Sequence, residues 1–388
     1  MLTSCAIPWT WLEVNLANSK IRSCCKTDWI SDSNQDLFLH PIILQRRQDF
    51  LDGKKPESCN HCWTIEDRGH KSYRQHTKLN QYLQTNNLDL NVNVPKTLSI
   101  NIGNLCNLAC VYCNEEYSTV WSVEKNIPIV DNSHLEFETN FINWLGSIIT
   151  NDHLQHIILI GGEPTIAPSF YKILELINNL VAVRKIKLKV TIQTNGMFNN
   201  NQLLRMINLS KQPNAIFSYR FSIESVGQQA ELIRTGLKWN IFQDNFRSML
   251  EHSKSQPNFD VTVHPTINVL CLEGFENFLR WLDSFDKETW DHFGWNHLEW
   301  PSEFSLLTLG RYSRELWDCP INFKNTQLIK YSIQIKKYLE SFDAIPSQEQ
   351  LIHIKDSLDL HCSRAKLTPD VVPKLQNLLD KYISDGDI

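Results

Sequence analysis

Three cysteines carry the plainest chemistry in this chain. Cys106, Cys110 and Cys113 stand in a Cys-x-x-x-Cys-x-x-Cys run, with Tyr112 just before the last thiol. Three thiols so close together can fold around one metal centre, yet they are one short of a closed four-thiolate site. Iron–sulfur clusters are usually held by four thiolates, so the run predicts a cluster with one iron left open to another ligand. A second set, Cys5, Cys24 or Cys25, Cys59 and Cys62, lies in the amino-terminal segment. It could converge as a four-thiolate staple for a segment with little core of its own; four cysteines suit zinc as well as a cluster. A third motif, Ile160-Gly-Gly-Glu-Pro164, offers two glycines where backbone can approach a ligand closely, with Glu163 as an acceptor there.

These residues need elements to position them. From Lys96 onward the pattern alternates strand and helix. Strands are expected near Thr97–Ile102, His156–Gly161, Ile186–Asn195, Ala215–Glu224 and Phe259–Asn268, with a sixth within Glu303–Leu309. Helices are expected near His134–Ile149, Pro168–Val181, Asn200–Ser210, Asn240–Ser253 and Glu273–Phe285. Such alternation implies parallel βα units with right-handed crossovers. Four of the strands alternate apolar with polar residues, as in Leu188, Val190 and Ile192 against Lys189, Thr191 and Gln193. Strands covered by helices on both faces are apolar on both, so the polar face predicts an open, partial barrel with a wet lumen. In parallel α/β architectures function sits at the carboxyl ends of the strands. The cysteine run follows the first such strand and the Gly-Gly motif the second.

Upstream, Trp11–Leu16 and Lys20–Cys25 read as a hairpin turning at Asn18-Ser19, followed by a helix around Leu37–Leu51 and a polar linker at Thr85–Pro95. The expected organisation is a Cys-rich unit over 1–84, a barrel over 96–310 and a helical cap over 311–388, with cap helices near Thr326–Glu340, Ser347–Leu358 and Val371–Ser384. Trp281, Trp290, Trp295, Trp300 and Trp317 read as core, and Cys271 as a buried thiol.

The chain has 388 residues, 38 of them basic and 43 acidic, for a formal net charge of −5. No basic run accompanies this balance, which speaks against a nucleic-acid partner. No apolar stretch approaches a membrane span. Eleven cysteines without an export signal argue for reduced, metal-binding thiols and a cytoplasmic location.

The three-cysteine run, followed in order by Gly161-Gly162-Glu163-Pro164, Thr191-Ile-Gln-Thr-Asn195 and Ser222-Ile-Glu224, resembles the radical S-adenosylmethionine (SAM) superfamily. The resemblance implies an α/β fold, a partial (β/α)6 TIM-like barrel. It also implies a [4Fe–4S] cluster on Cys106, Cys110 and Cys113, whose open iron takes the amine and carboxylate of SAM. By the same likeness Gly161, Gly162, Glu163, Asn195, Ser222 and Glu224 contact SAM, and Tyr112 shields the cluster and lies against the adenine. An Arg in Glu231-Leu-Ile-Arg-Thr-Gly236 matches an Arg of related sequences whose role stays open. Arg220, His264 and Asn268 are the lumen residues placed to meet substrate.

The amino-terminal pattern Cys5-x-x-Pro8-Trp9, Cys24-Cys25, then Cys59, Cys62, Trp63, Glu66, Gly69, Ser72 and Arg74 looks like radical SAM proteins with a twitch domain, a shortened relative of the SPASM domain. That likeness implies an auxiliary [4Fe–4S] cluster on Cys5, Cys24, Cys59 and Cys62. The implied activity is reductive cleavage of SAM to a 5′-deoxyadenosyl radical that abstracts hydrogen from a substrate. A peptide or protein side chain is the expected substrate, a nucleotide or small metabolite the alternative, and flavodoxin or ferredoxin the kind of electron donor. A non-catalytic iron–sulfur or zinc interaction protein is the alternative of another class.

Overall fold

Alternation of apolar and polar residues resolves into strands wherever one face can reach a common core. The computed structural model describes residues 5–31, 36–76, 88–128, 135–285, 296–317, 319 and 322–384. Its strands are β1 (Trp11–Asn15), β2 (Lys20–Arg22), β3 (Ile30–Ser31), β4 (Thr97–Asn101), β5 (Ala109–Cys110), β6 (His156–Ile160), β7 (Leu188–Thr194), β8 (Ala215–Phe221), β9 (Arg234–Thr235), β10 (Phe259–Val263), β11 (Thr266–Ile267) and β12 (Asn296–His297). Eight of them form one sheet in the order β10-β8-β7-β6-β4-β1-β2-β3. From β10 through β1 each neighbour is parallel, and β2 and β3 close the other edge antiparallel.

The sixth parallel strand is therefore β1, and the expectation of one within Glu303–Leu309 is corrected. That stretch forms a 3-10 turn at Ser302–Phe304 and a short helix, Leu306–Leu309, capped by the Ser305 hydroxyl accepting from Leu307 N–H. Strand β1 belongs in the sheet because Leu12, Val14 and Leu16 alternate with Trp11, Glu13 and Asn15 as the barrel strands do. Its register against β4 pairs Glu13 with Ser99 and Asn15 with Asn101. Leu12, Leu98 and Leu351, one from each expected domain, lie in one continuous core, and Cys5, Ile7, Trp9, Cys24, Phe50 and Trp63 form a second, smaller one.

The apolar face of the sheet supplies Ile100, Leu159, Val190, Phe217, Phe221 and Val261 to that core, all fully buried. Helices Pro168–Leu180 and Trp239–Ser255 add Phe170, Leu174, Phe242 and Phe246. Each such side chain contributes about 1.5–3 kcal/mol by leaving water. The opposite face carries Glu13, Ser99, Thr191, Ser218 and Thr262, which are polar and also buried. That face is enclosed rather than bathed in bulk solvent. No helix among the described residues is long and apolar enough to cross a membrane.

The carboxyl-terminal helices Thr326–Glu340 and Pro373–Ser384 form where the periodicity places them, while the middle one, Gln348–Ala365, runs past its expected end at Leu358. The middle one reaches the cysteine loop. Its Arg364 pairs with Glu124 at 2.7 Å and lies 3.9 Å over the Trp121 ring, while Trp121 Nε1–H donates to the Cys110 carbonyl at 3.0 Å. His361 meets the same Trp121 edge-on. Burial, reinforced by Arg364, pushes its pKa down from 6.5 to about 4. Neutral in the fold and more readily protonated in the unfolded chain, His361 contributes stability that is complete above pH 6.5 and lost as pH falls through about 4. The fall in Tm across that window is expected to be shallower in His361→Gln, read by thermal denaturation at stepped pH.

Candidate functional site

The cysteine run leaves β4 through Ile102–Leu105 and is fastened locally before it reaches any ligand. Thr119, at the start of helix Thr119–Glu124, accepts from Cys106 N–H at 3.2 Å and donates to the Cys106 carbonyl at 3.1 Å. Ser118 donates to the Leu108 carbonyl at 2.6 Å. The Gly-Gly turn packs against the same loop. Gly162 N–H donates to Gly103 O at 2.7 Å, and Glu163 N–H to Leu105 O at 2.8 Å. A Cβ on Gly161, whose φ is +142°, would lie 2.6 Å from Gly103 O, and one on Gly162 would lie 2.5 Å from Leu105 O. The closest approach these glycines permit is thus to the cysteine loop itself, although both also line the cavity beyond it.

This close packing has a measurable consequence. Gly162→Ala is expected to cost about 1–3 kcal/mol through overpacking, with the strain falling on the backbone that leads to Cys106. Thermal melts and iron content after reconstitution should both fall. Gly146→Ala, inside the helix Leu135–Ile148 with its added methyl meeting only Leu176 at 3.8 Å, should leave iron content unchanged and raise the melting temperature slightly.

Cys106, Cys110 and Cys113 line a single cavity of about 500 Å³ with Tyr112, Gly161, Gly162, Asn195 and Ser222, a volume suited to a small molecule. Burial pushes the Cys106 and Cys113 thiols up to about 12 and raises Cys110 as well. They stay protonated at neutral pH unless a metal displaces the proton. Among the described residues no three His, Cys, Asp or Glu side chains close around a point the size of one ion. A cluster, which offers one iron per thiolate, spreads its ligands wider. Three thiols on one cavity wall are the soft donor set such a cluster takes.

Arg234 emerges as the residue whose role the sequence left open. Strand β5 pairs with β9 so that Cys110 faces Arg234 across the ladder, and Arg234 Nη1 lies 3.9 Å from the Cys110 sulfur. Glu224 accepts from Arg234 Nε–H at 3.0 Å and Nη2–H at 2.7 Å. Burial works against the guanidinium charge, but Glu224 beside it raises the pKa of Arg234 above its ordinary value. The ring of Tyr112 lies 5.4 Å under Arg234, and its hydroxyl reaches Glu224 at 3.2 Å.

Three of the expected site residues are engaged by their own neighbours. Glu224 is fully buried, with its carboxylate held by Arg234 and Tyr112, and it fixes Arg234 in turn. The Glu163 carboxylate likewise accepts from Thr165 N–H, Thr165 Oγ1, Thr194 Oγ1 and Asn195 N–H. It braces the end of β7. Strand β10 stops at Val263 before Pro265, and Asn268 caps a 3-10 turn by accepting from Leu270 N–H and donating to Thr266 O.

Asn195 sits on the cavity wall and donates to Asn107 Oδ1 at 2.8 Å. Ser222 also lines it and accepts from Gln193 Nε2–H at 3.3 Å. Arg220 and His264 lie on the polar face of β8 and just past β10, outside this wall. Cys271 is buried, with its thiol on the Asn268 carbonyl. The wall also includes Glu13 and Arg22, an ion pair at 2.6 Å from the amino-terminal hairpin, and Trp300. Trp300 is 61% exposed, correcting its assignment to the core; Trp290 and Trp295 lie outside the described residues. The alternation in Trp11–Leu16 was the one signal that could have placed Glu13 here.

A second, small cavity is lined by Cys5, Cys24, Cys59 and Cys62 together with Arg46 and Arg74; Cys25 is not on its wall. Burial pushes the Cys5 thiol up to about 12 and raises Cys59. Arg46 is held by Ser58 at 3.0 Å and by Ser23. Arg74 pairs with half-buried Glu66, which also takes the Ser72 hydroxyl, and stacks 4.4 Å over Trp63. The amino-terminal motif thus forms one braced polar knot beside four thiols.

Residues 100–282 match the model of the radical SAM superfamily. That span holds the three-cysteine run, the Gly-Gly turn and strands β6, β7, β8 and β10. Among solved structures, native anSMEcpe with bound AdoMet is 18% identical, over 57% of this chain and 59% of that one, with a TM-score of 0.37. A polyhistidine-tagged form of anSMEcpe with bound AdoMet is also 18% identical, over 58% and 56%, with a TM-score of 0.37. The chain thus spans less than two thirds of the structures it matches. No curated protein matches it.

Proposed function

We propose, from the premise that residues 100–282 are a radical SAM domain, that Cys106, Cys110 and Cys113 hold a [4Fe–4S] cluster with an open iron and that SAM occupies the adjoining cavity. Bound there, the pair would supply a 5′-deoxyadenosyl radical, which takes a hydrogen atom from an unreactive C–H bond of the substrate. The observation that carries this reading is the convergence of the three thiols, Tyr112, Gly161, Gly162, Asn195, Ser222 and Arg234 on one cavity.

The chain's own residues then have distinct duties. Arg234, locked by Glu224, holds a fixed positive charge at the Cys110 sulfur. Asn195 and Ser222 offer hydrogen bonds at the strand ends, and Tyr112 shields the thiols from water. Trp121 and Thr119 fix the loop so that the thiolates need little reorganisation.

The finer reading is a twitch-type enzyme acting on a peptide or protein side chain, with an electron donor such as flavodoxin or ferredoxin, in the cytoplasm. Cys5, Cys24, Cys59 and Cys62 would hold an auxiliary [4Fe–4S] cluster, supported by their shared cavity and its two arginines. Anaerobic reconstitution separates the cases. About eight irons per chain are expected for two clusters, whereas about four with one zinc would replace the auxiliary cluster by a structural site. Reduced, reconstituted protein is expected to form 5′-deoxyadenosine from SAM; a loaded protein that forms none would overturn the enzyme reading.

A further inference from the structure

The polar face of the sheet carries more hydrogen-bond donors than its own residues use. Arg220 on β8 and Thr262 on β10 are register partners, and His264 follows two residues later on the same face. Arg220 is also the register partner of Gln193, which lines the main cavity. Among the described residues Arg220 Nε, Thr262 Oγ1 and His264 Nδ1 are buried without a hydrogen-bond partner. His264 Nε2 lies 3.1 Å from Asn296 Nδ2. An amide N–H donates there, which leaves the imidazole proton on Nδ1. Three neighbouring groups therefore each have a proton to offer, and buried donors are costly to leave unmade.

The charges on this face select the ligand. Arg220 acts electrostatically on His156, Lys189 and His264. Burial, then the neighbouring cations, push both histidines down to about 4, so they are neutral donors near pH 7. Asp260 sits one row below Arg220, beside Ser218, whose hydroxyl donates to it at 3.4 Å. Lys189 stands two rows from Gln193 and Arg220. Two cations, Arg220 and Lys189, and one carboxylate, Asp260, which acts on both, leave this face one net positive charge. With the neutral donors beside it, that matches a planar group with a single negative charge and two acceptor oxygens. A phosphate dianion would ask for a second net positive charge.

We propose that Arg220, Thr262 and His264 form a carboxylate-binding subsite in the barrel lumen, adjoining the cysteine-lined cavity, so that the substrate is one that carries a carboxylate. This rests on the reading of that cavity as the reaction site, yet binding is measurable without turnover. The test uses the full reconstituted chain and saturation-transfer NMR with three probes: the N-acetyl methylamides of glutamate, glutamine and phosphoserine. The glutamate probe is expected to bind about tenfold more tightly than the glutamine probe. That preference should vanish in Arg220→Gln and persist in part in Arg220→Lys. Equal binding of acid and amide, an unchanged preference in Arg220→Gln, or a phosphoserine probe favoured over glutamate would each overturn the proposal. If circular dichroism shows Arg220→Gln unfolded, the isosteric Thr262→Val decides, and an undiminished preference there overturns it. Wild-type protein that prefers the carboxylate but forms no 5′-deoxyadenosine would sink the enzyme reading and leave the subsite standing.

Discussion

Cys110→Ala protein is expected to make no 5′-deoxyadenosine above background and to lose about four irons per chain after anaerobic reconstitution. Among the three thiols Cys110 is the informative one to remove. It lies on β5, its carbonyl is held by Trp121, and its sulfur faces Arg234. The side chain is small and buried, so its truncation alters packing little while it removes a ligand. Unchanged circular dichroism would show that the loss is one of chemistry. Cys271→Ala provides the comparison, because that thiol is buried against Asn268 away from the cavity, and it should retain full iron and activity. Undiminished 5′-deoxyadenosine from the Cys110 variant would show that the three-thiolate assignment is wrong.

Arg234→Ala is expected to destabilise the protein by about 3–5 kcal/mol, the usual result of removing one partner of a buried ion pair. Glu224 is fully buried, and the variant would leave its carboxylate with the Tyr112 hydroxyl and a distant Thr266 N–H. Urea unfolding measures the loss. The double variant Arg234→Met with Glu224→Leu should recover most of it, because well-packed apolar replacements of a buried pair are often neutral or better. Its iron site would still lack the positive charge at Cys110. Recovered stability with impaired SAM cleavage would separate the two duties of Arg234; recovery of both would assign it a purely structural one.

Much of this arrangement was legible from local spacing. The cysteine run and Gly161-Gly162 lie directly after β4 and β6, and a rule about strand ends is enough to bring them together. The β1–β2 hairpin was also readable from its alternation and the turn at Asn18-Ser19. Its membership of the main sheet was not, because pairing β1 with β4 joins residues more than 80 positions apart and no local pattern names the partner. Acids at strand ends posed a different difficulty. Glu163 and Glu224 sit where a ligand could be met, but sequence does not tell whether a carboxylate is already engaged by its neighbours. The strand expected to run to Asn268 ends at Val263, because alternation continues past it whereas Pro265 has no N–H to extend the ladder. Arg234 was noticed without a duty, since only the β5–β9 pairing sets it against Cys110.

The position of β1 bears on any attempt to trim the molecule to the residues of the family match. A fragment beginning at Lys96 would keep every residue of the family match and still lose the neighbour of β4. That would bare a row of amides and carbonyls along the rim of the sheet, and such a rim is a template for self-association. The amino-terminal strand thus covers that rim, whatever its cysteines hold.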